Sequence, residues 1–260
     1  KRIKRRIHMV FHFTIFIWAL IFSAGLWLVS LFVSAELSWS RYLFSIGGLF
    51  LVSMFAVRRI THRSINVVVP ALLSVTAPIL LSLIDAPAER QVFVGIVGGM
   101  YYLSLLALYR LHHAHIDQTA QSILAVAVMA SLFFFYSGVY GFYVNFNFPL
   151  WGLMILFCIG TAVASYQTFI HRERHDRKRV ILYSVILGLV MGECAWVFGF
   201  WPFGYLTTGA IALILYFLLW DIAFTGFYGE MSLRKTLVKT IFALALVVLL
   251  LLSTPWSILA

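Results

Sequence analysis

Along this chain the hydrophobic positions neither alternate with polar ones nor keep to one helical stripe. They fill long runs that are apolar on every side, separated by short clusters of basic, histidine and turn residues. Nine such runs can be drawn: about Val10–Val33, Tyr42–Val57, Ile65–Ile84, Val92–Leu108, Ala120–Tyr136, Leu150–Ile170, Ile181–Phe200, Tyr205–Phe227 and Leu237–Leu252. Most are close to the roughly 20 residues a helix needs to cross hydrocarbon, and none has the alternating pattern of a barrel strand. Water is absent from the bilayer core, so backbone groups must pair within each segment, and at these lengths that means helices. The expected fold is all-α: a polytopic integral membrane protein of about nine transmembrane helices.

Composition supports this. Hydrophobic residues make up 63% of the chain and charged residues 11%, against about 25% charged in an average soluble domain. That is too little charge to cover a water-facing surface. The loops are short, so residues 1–260 read as a single membrane domain. The first run is too long for the roughly 7–15-residue apolar core of a signal peptide, so it reads as a span despite the cleavage-like Val33-Ser34-Ala35. The chain opens on Lys1 without Met, as a piece of a longer protein would.

Charge then orients the spans. With the N-terminus in the cytoplasm, five Lys/Arg fall in the N-terminal tail, three in 58–64, one in 110–118, five in 171–180 and three in 228–239. Together these are 17 of the 19; only Arg41 and Arg90 fall outside. This bias follows the positive-inside rule and places the C-terminus outside. It also accounts for the formal charge of +10 without nucleic acid, because the basic residues are spread over loop ends. Anionic headgroups are the expected partners of those loops, and the cell membrane the expected location (the cytoplasmic membrane if the source is bacterial). A protein partner or a homo-oligomer is compatible with this picture.

Candidate chemistry is sparse. Glu193 and Asp221, on the seventh and eighth runs, are the only acids inside long apolar runs. An ionisable group in hydrocarbon is a functional-site hypothesis by default. Pro78 removes the helical bond to the carbonyl of Ser74, so the third helix is expected to kink there, with Ser74 and Thr76 helping to satisfy the freed groups. These four residues, Glu193, Asp221, Ser74 and Thr76, form the candidate intramembrane polar site. Ser184, Gly188 and Gly192 repeat every four residues as a close-packing face. Glu193 is expected to point into the bundle beside that face. Asp221 can instead reach a basic residue of the inner side and serve the structure.

All eight histidines lie on the cytoplasmic side, including the i,i+4 pairs His8/His12 and His171/His175 and the cluster His112-His113-Ala114-His115. The pairs resemble the histidine boxes of membrane di-iron desaturases and hydroxylases. The glutamate-containing boxes are missing, however, and there are too many spans. His171-Arg172-Glu173-Arg174-His175 also misplaces the acid of a zinc-protease HExxH. The expected reading is headgroup-facing histidines, no metal and no cofactor. Cys158 and Cys194 fall at similar depth and read as small apolar fillers. There is no Walker A loop and no G-x-S-x-G elbow. The leading expectation is a small-solute or ion transporter with a cavity near Glu193 and the Pro78 kink. The alternatives are a membrane subunit or scaffold that binds a partner through basic loops, and a membrane enzyme using cytoplasmic-face histidines on lipid; catalysis is the less favoured reading.

The charge bias generates a direct test. A cysteine replacing Asn147 should react with a membrane-impermeant maleimide added outside intact cells, and one replacing Arg177 only after the membrane is opened. The reverse pattern would invert the topology.

Overall fold

The computed structural model describes residues 2–34, 39–61, 64–113, 117–172, 177–227 and 233–254. Among these, nine α-helices and one 3-10 turn account for nearly the whole chain: α1 (Arg2–Ser34), α2 (Trp39–Thr61), the turn Ser64–Val67, α3 (Val68–Leu81), α4 (Pro87–His113), α5 (Gln118–Asn145), α6 (Leu150–Arg172), α7 (Arg177–Phe198), α8 (Tyr205–Phe227) and α9 (Leu233–Ser253). Eight are long and apolar enough to cross a membrane; α3 is the shorter ninth. The protein is therefore an all-helical polytopic membrane protein.

Several helices run past the apolar segments drawn from sequence, because polar residues at a membrane surface continue a helix readily. α4 begins at Pro87, where the missing N–H belongs to a position with no intrahelical partner, and Glu89 sits in its first turn against the helix dipole. α5 begins under a cap: the Asp117 carboxylate accepts the backbone N–H groups of Thr119 and Ala120 at 3.1 and 3.2 Å. Its other oxygen takes Arg110 from the end of α4 at 2.8 Å.

Two boundaries differ from expectation. The third span is not helical from residue 65. It starts as a 3-10 turn, and Pro70 lies in the first turn of α3, where its lack of an N–H costs no bond. The helix runs through Pro78 to Leu81, and the Ser82 N–H reaches the Pro78 carbonyl at 3.0 Å. Arg90 then caps the following turn, its Nε donating to the Ile84 carbonyl at 2.6 Å. This interaction gives a local reason for a basic residue at a helix end where the charge bias expects none. The fifth span, expected to end at Tyr136, continues to Asn145, so Tyr140 and Tyr143 are helical and not part of an outer loop. The turn that follows passes through Asn147 with φ near 50°, a left-handed conformation that Asn tolerates.

The helices cluster into two compact units, Lys1–Ser131 and Leu132–Ala260, divided within α5. In the first, α4 packs on α1, α2 and α3. Gly98 allows this: a Cβ there would fall on the Ser23 side chain of α1, and one helical turn away Phe22 stacks on Tyr101 with ring centres 3.9 Å apart. In the second, α6 and α7 form the most extensive helix pair. Gly188 and Gly192 of α7 lie against α6. A Cβ at 188 would stand 2.6 Å from the Cys158 carbonyl oxygen and 2.9 Å from the Ala162 Cβ; one at 192 would stand 3.1 Å from the Met154 carbonyl oxygen. The four-residue repeat expected to be a close-packing face is one. α9 is nearly bare, with Ala243 its buried apolar residue.

Adding a methyl group at this contact must push backbone from backbone. Gly188→Ala should cost about 1–3 kcal/mol, read as a lower thermal midpoint in mild detergent. Gly95→Ala, with nothing within 4 Å of its Cβ position, should stay within about 0.5 kcal/mol. Equal effects would contradict the packing.

Candidate functional site

The second unit has a polar interior made without charge. On α5, Tyr136 and Tyr140 are one turn apart; on α6, Thr161, Ser165 and Thr168 repeat at four and three; on α8, Tyr216 and Trp220 are again one turn apart. Each set falls on one helix face. Tyr136 and Thr161 share a hydrogen bond of 2.8 Å, with both residues buried, and the Tyr136 ring stacks on Phe157 at 4.8 Å. Ser165 donates to the Tyr216 hydroxyl at 3.3 Å, and the Trp220 indole N–H donates to Thr168 at 3.3 Å. The Tyr140 hydroxyl lies 3.1 Å from the Phe198 carbonyl and 3.2 Å from that of Trp201, placed to donate to either. The Phe198 carbonyl ends α7 and also accepts the Trp201 N–H at 3.0 Å, and Trp201 lies in the turn beyond, so Tyr140 pins the α7–α8 hairpin. Where α8 crosses α5, Gly209 leaves room for Ser137.

The acids sit elsewhere. Asp221 of α8 is held by Lys239 of α9, with Nζ 2.6 Å from Oδ2. Both residues are six positions from the ends of their helices nearest the α8–α9 connection. That puts them at matching depth, about 9 Å in. At the other end of α8, Thr207 and Thr254 are 3.5 Å apart. Two polar contacts thus tie the bare α9 to α8 at either end. The structural role expected for Asp221 has its partner.

Glu193 does not do what the sequence suggested. It is exposed, on the side of α7 away from α6, and among the described residues no hydrogen bond or ion pair holds it. The reason is angular. Successive residues turn by about 100°, so a residue next to Gly192 stands well around the helix from the face that Gly188 and Gly192 press against α6. Leu187, Met191 and Ala195 are buried with the glycines. Glu193 shares its side with Leu182, Ile186, Leu189 and Trp196, all exposed. Their spacing of four, three, four and three is a heptad seam, which the exposed Phe200 continues in the turn just beyond α7. The expectation of an inward Glu193 is corrected to an outward one.

Ser74 and Thr76 are buried in the first unit and bond to their own helix. Ser74 donates to the Ala71 carbonyl and Thr76 to the Leu72 carbonyl, each at 2.8 Å. Neither takes the Ser74 carbonyl that Pro78 frees. The four residues proposed as one polar site are therefore three separate arrangements: two local back-bonds in the first unit, one ion pair and one outward acid in the second. The first unit also carries an apolar groove of about 570 Å³ between α1 and α4, bordered by Leu20, Ser23, Gly95, Gly99 and Tyr102.

The side chains of His8, His62, His115, His171 and His175 lie outside the described residues. Of the others, His12 and His113 bracket Tyr109, with ring centres at 6.2 and 4.4 Å, and His113 Nδ1 meets the Tyr109 carbonyl at 3.0 Å. Among the described residues no three His, Cys, Asp or Glu side chains are grouped to hold a metal ion. Cys158 and Cys194 are free thiols, the first packed on Gly192.

The hydroxyl stripe escaped sequence reading, though its spacing was visible: aromatic hydroxyls at 136 and 140 and small hydroxyls at 161, 165 and 168 keep helical register. Comparison with protein-family models, with curated proteins and with solved structures finds no match to this chain.

Proposed function

We propose that the protein is an integral membrane subunit or scaffold, acting by lateral association with another protein in the cell membrane. The observation that carries this is the outward Glu193, unbonded among the described residues, within an exposed apolar seam. Translocon scales place a charged Asp, Lys or Arg at a helix centre at about 2.5–3.5 kcal/mol. Glu193 lies five residues before the end of α7, about 8 Å in. Side chains on a helix lean toward its N-terminus, so this carboxyl leans deeper into the span instead of back to the nearer surface. On the surface side Trp196 and Phe200 pack edge to face at 5.6 Å along the same seam. Such a side chain is stabilised by a neighbour within the membrane, not by snorkelling.

The polar interior supports the same reading. Tyr136, Thr161, Ser165 and Tyr216 bond to one another between helices, and Asp221 is neutralised by Lys239. A transporter organised around Glu193 would need that carboxyl inside a cavity, and its outward position removes that support. The basic loop ends remain suited to anionic headgroups on one side of the membrane.

Solubilised from its native membrane in mild detergent, the chain should be recovered with a second integral membrane protein in fixed ratio, and the purified chain alone should move no solute in vesicles. Recovery as a lone polypeptide, together with solute flux in proteoliposomes, would overturn the proposal.

A further inference from the structure

Resting on the subunit reading, we infer that the α7 seam receives a transmembrane helix of another chain that carries a Lys or Arg opposite Glu193. The argument is charge complementarity. The seam Leu182, Ile186, Leu189, Glu193, Trp196 and Phe200 is continuous, exposed and apolar except for one acid. In a heptad seam a single polar position sets register, because only one alignment pairs it. Among the described cations, Lys239 is engaged with Asp221 and Arg90 with the Ile84 carbonyl. No described Lys or Arg is bonded to Glu193. A second copy of this chain meeting the first through the same seam would be inserted in the same orientation. It would therefore bring acid to acid at one depth, which like charge disfavours. A cationic helix supplies what the seam lacks: an opposite charge about 8 Å from the corresponding end, on a long stem that can itself pack along the apolar seam.

The two-protein complex can be imitated with a defined probe. A synthetic single-span helix of leucine and alanine, with one lysine about 8 Å from the matching end, is reconstituted with the full chain in lipid vesicles, and association is read by energy transfer between labels. The lysine helix should bind, and its lysine-to-leucine version should bind at least about tenfold more weakly, as should the lysine helix with the Glu193→Leu chain. Exchanging the charges, Glu193→Lys against a helix bearing glutamate, should restore binding, which also shows that the variant chain is folded. Equal binding of the lysine and leucine helices, or no rescue on exchange, would overturn the inference. So would energy transfer between two labelled copies of the chain that is lost on Glu193→Leu, which would assign the seam to self-association. If a native partner co-purifies and stays bound to the Glu193→Leu chain, the subunit reading stands and this inference alone falls.

Discussion

In hydrocarbon a polar group has no water to fall back on, so each must find its partner inside the protein or in another one. That constraint organises the second unit. Its interior holds hydroxyls and an indole N–H matched across α5, α6 and α8, with no ionised group among them. A neutral hydroxyl pair gains modestly from its bond, but leaving one member alone in a dry interior costs about 1–3 kcal/mol. The stripe therefore specifies which helices meet and in what register more than it adds net stability. The Tyr140 hydroxyl does the same at the hairpin, where it meets the Phe198 and Trp201 carbonyls.

The same rule separates the two intramembrane acids. Asp221 meets Lys239 at equal depth and helps hold a helix that buries little apolar surface. In the membrane, where apolar burial between helices has no hydrophobic drive, such polar ties and close small-residue contacts are what remain to fix a helix in place. Glu193 is exposed, and among the described residues it has no hydrogen-bond or ion-pair partner. An acid that the fold leaves outside can be satisfied only from outside, and the proposed association through the exposed side of α7 rests on that.

Much of the fold was legible because length and apolarity alone decide whether a segment crosses lipid. The eighth run matched its helix at both ends, and the Gly188/Gly192 repeat marked the face that α6 covers. What failed was direction around a helix. In lipid both sides of α7 are apolar, so no amphipathic pattern tells inside from outside, and the rule that buried acids face inward was applied to an acid a third of a turn from the packed glycines. Ends failed where polar or aromatic residues continue a helix past the apolar run, as at Tyr140–Asn145, and where proline changes the start, as at Ile65–Val67. The Asp221–Lys239 pair could have been anticipated from equal counting to the α8–α9 connection. The hydroxyl stripe could have been anticipated from helical spacing on three helices, but without knowing which helices pack its members looked like scattered surface polarity.

The outward position of Glu193 is the claim on which the functional account rests, and nitroxide scanning of α7 tests it most directly. Oxygen concentrates in the lipid interior and is excluded from packed protein. With the chain alone in bilayers, spin labels placed singly at 189, 193 and 196 should relax strongly with oxygen, and labels at 187, 191 and 195 weakly. A label at 193 as protected as one at 191 would place the carboxyl inside the bundle and contradict the account.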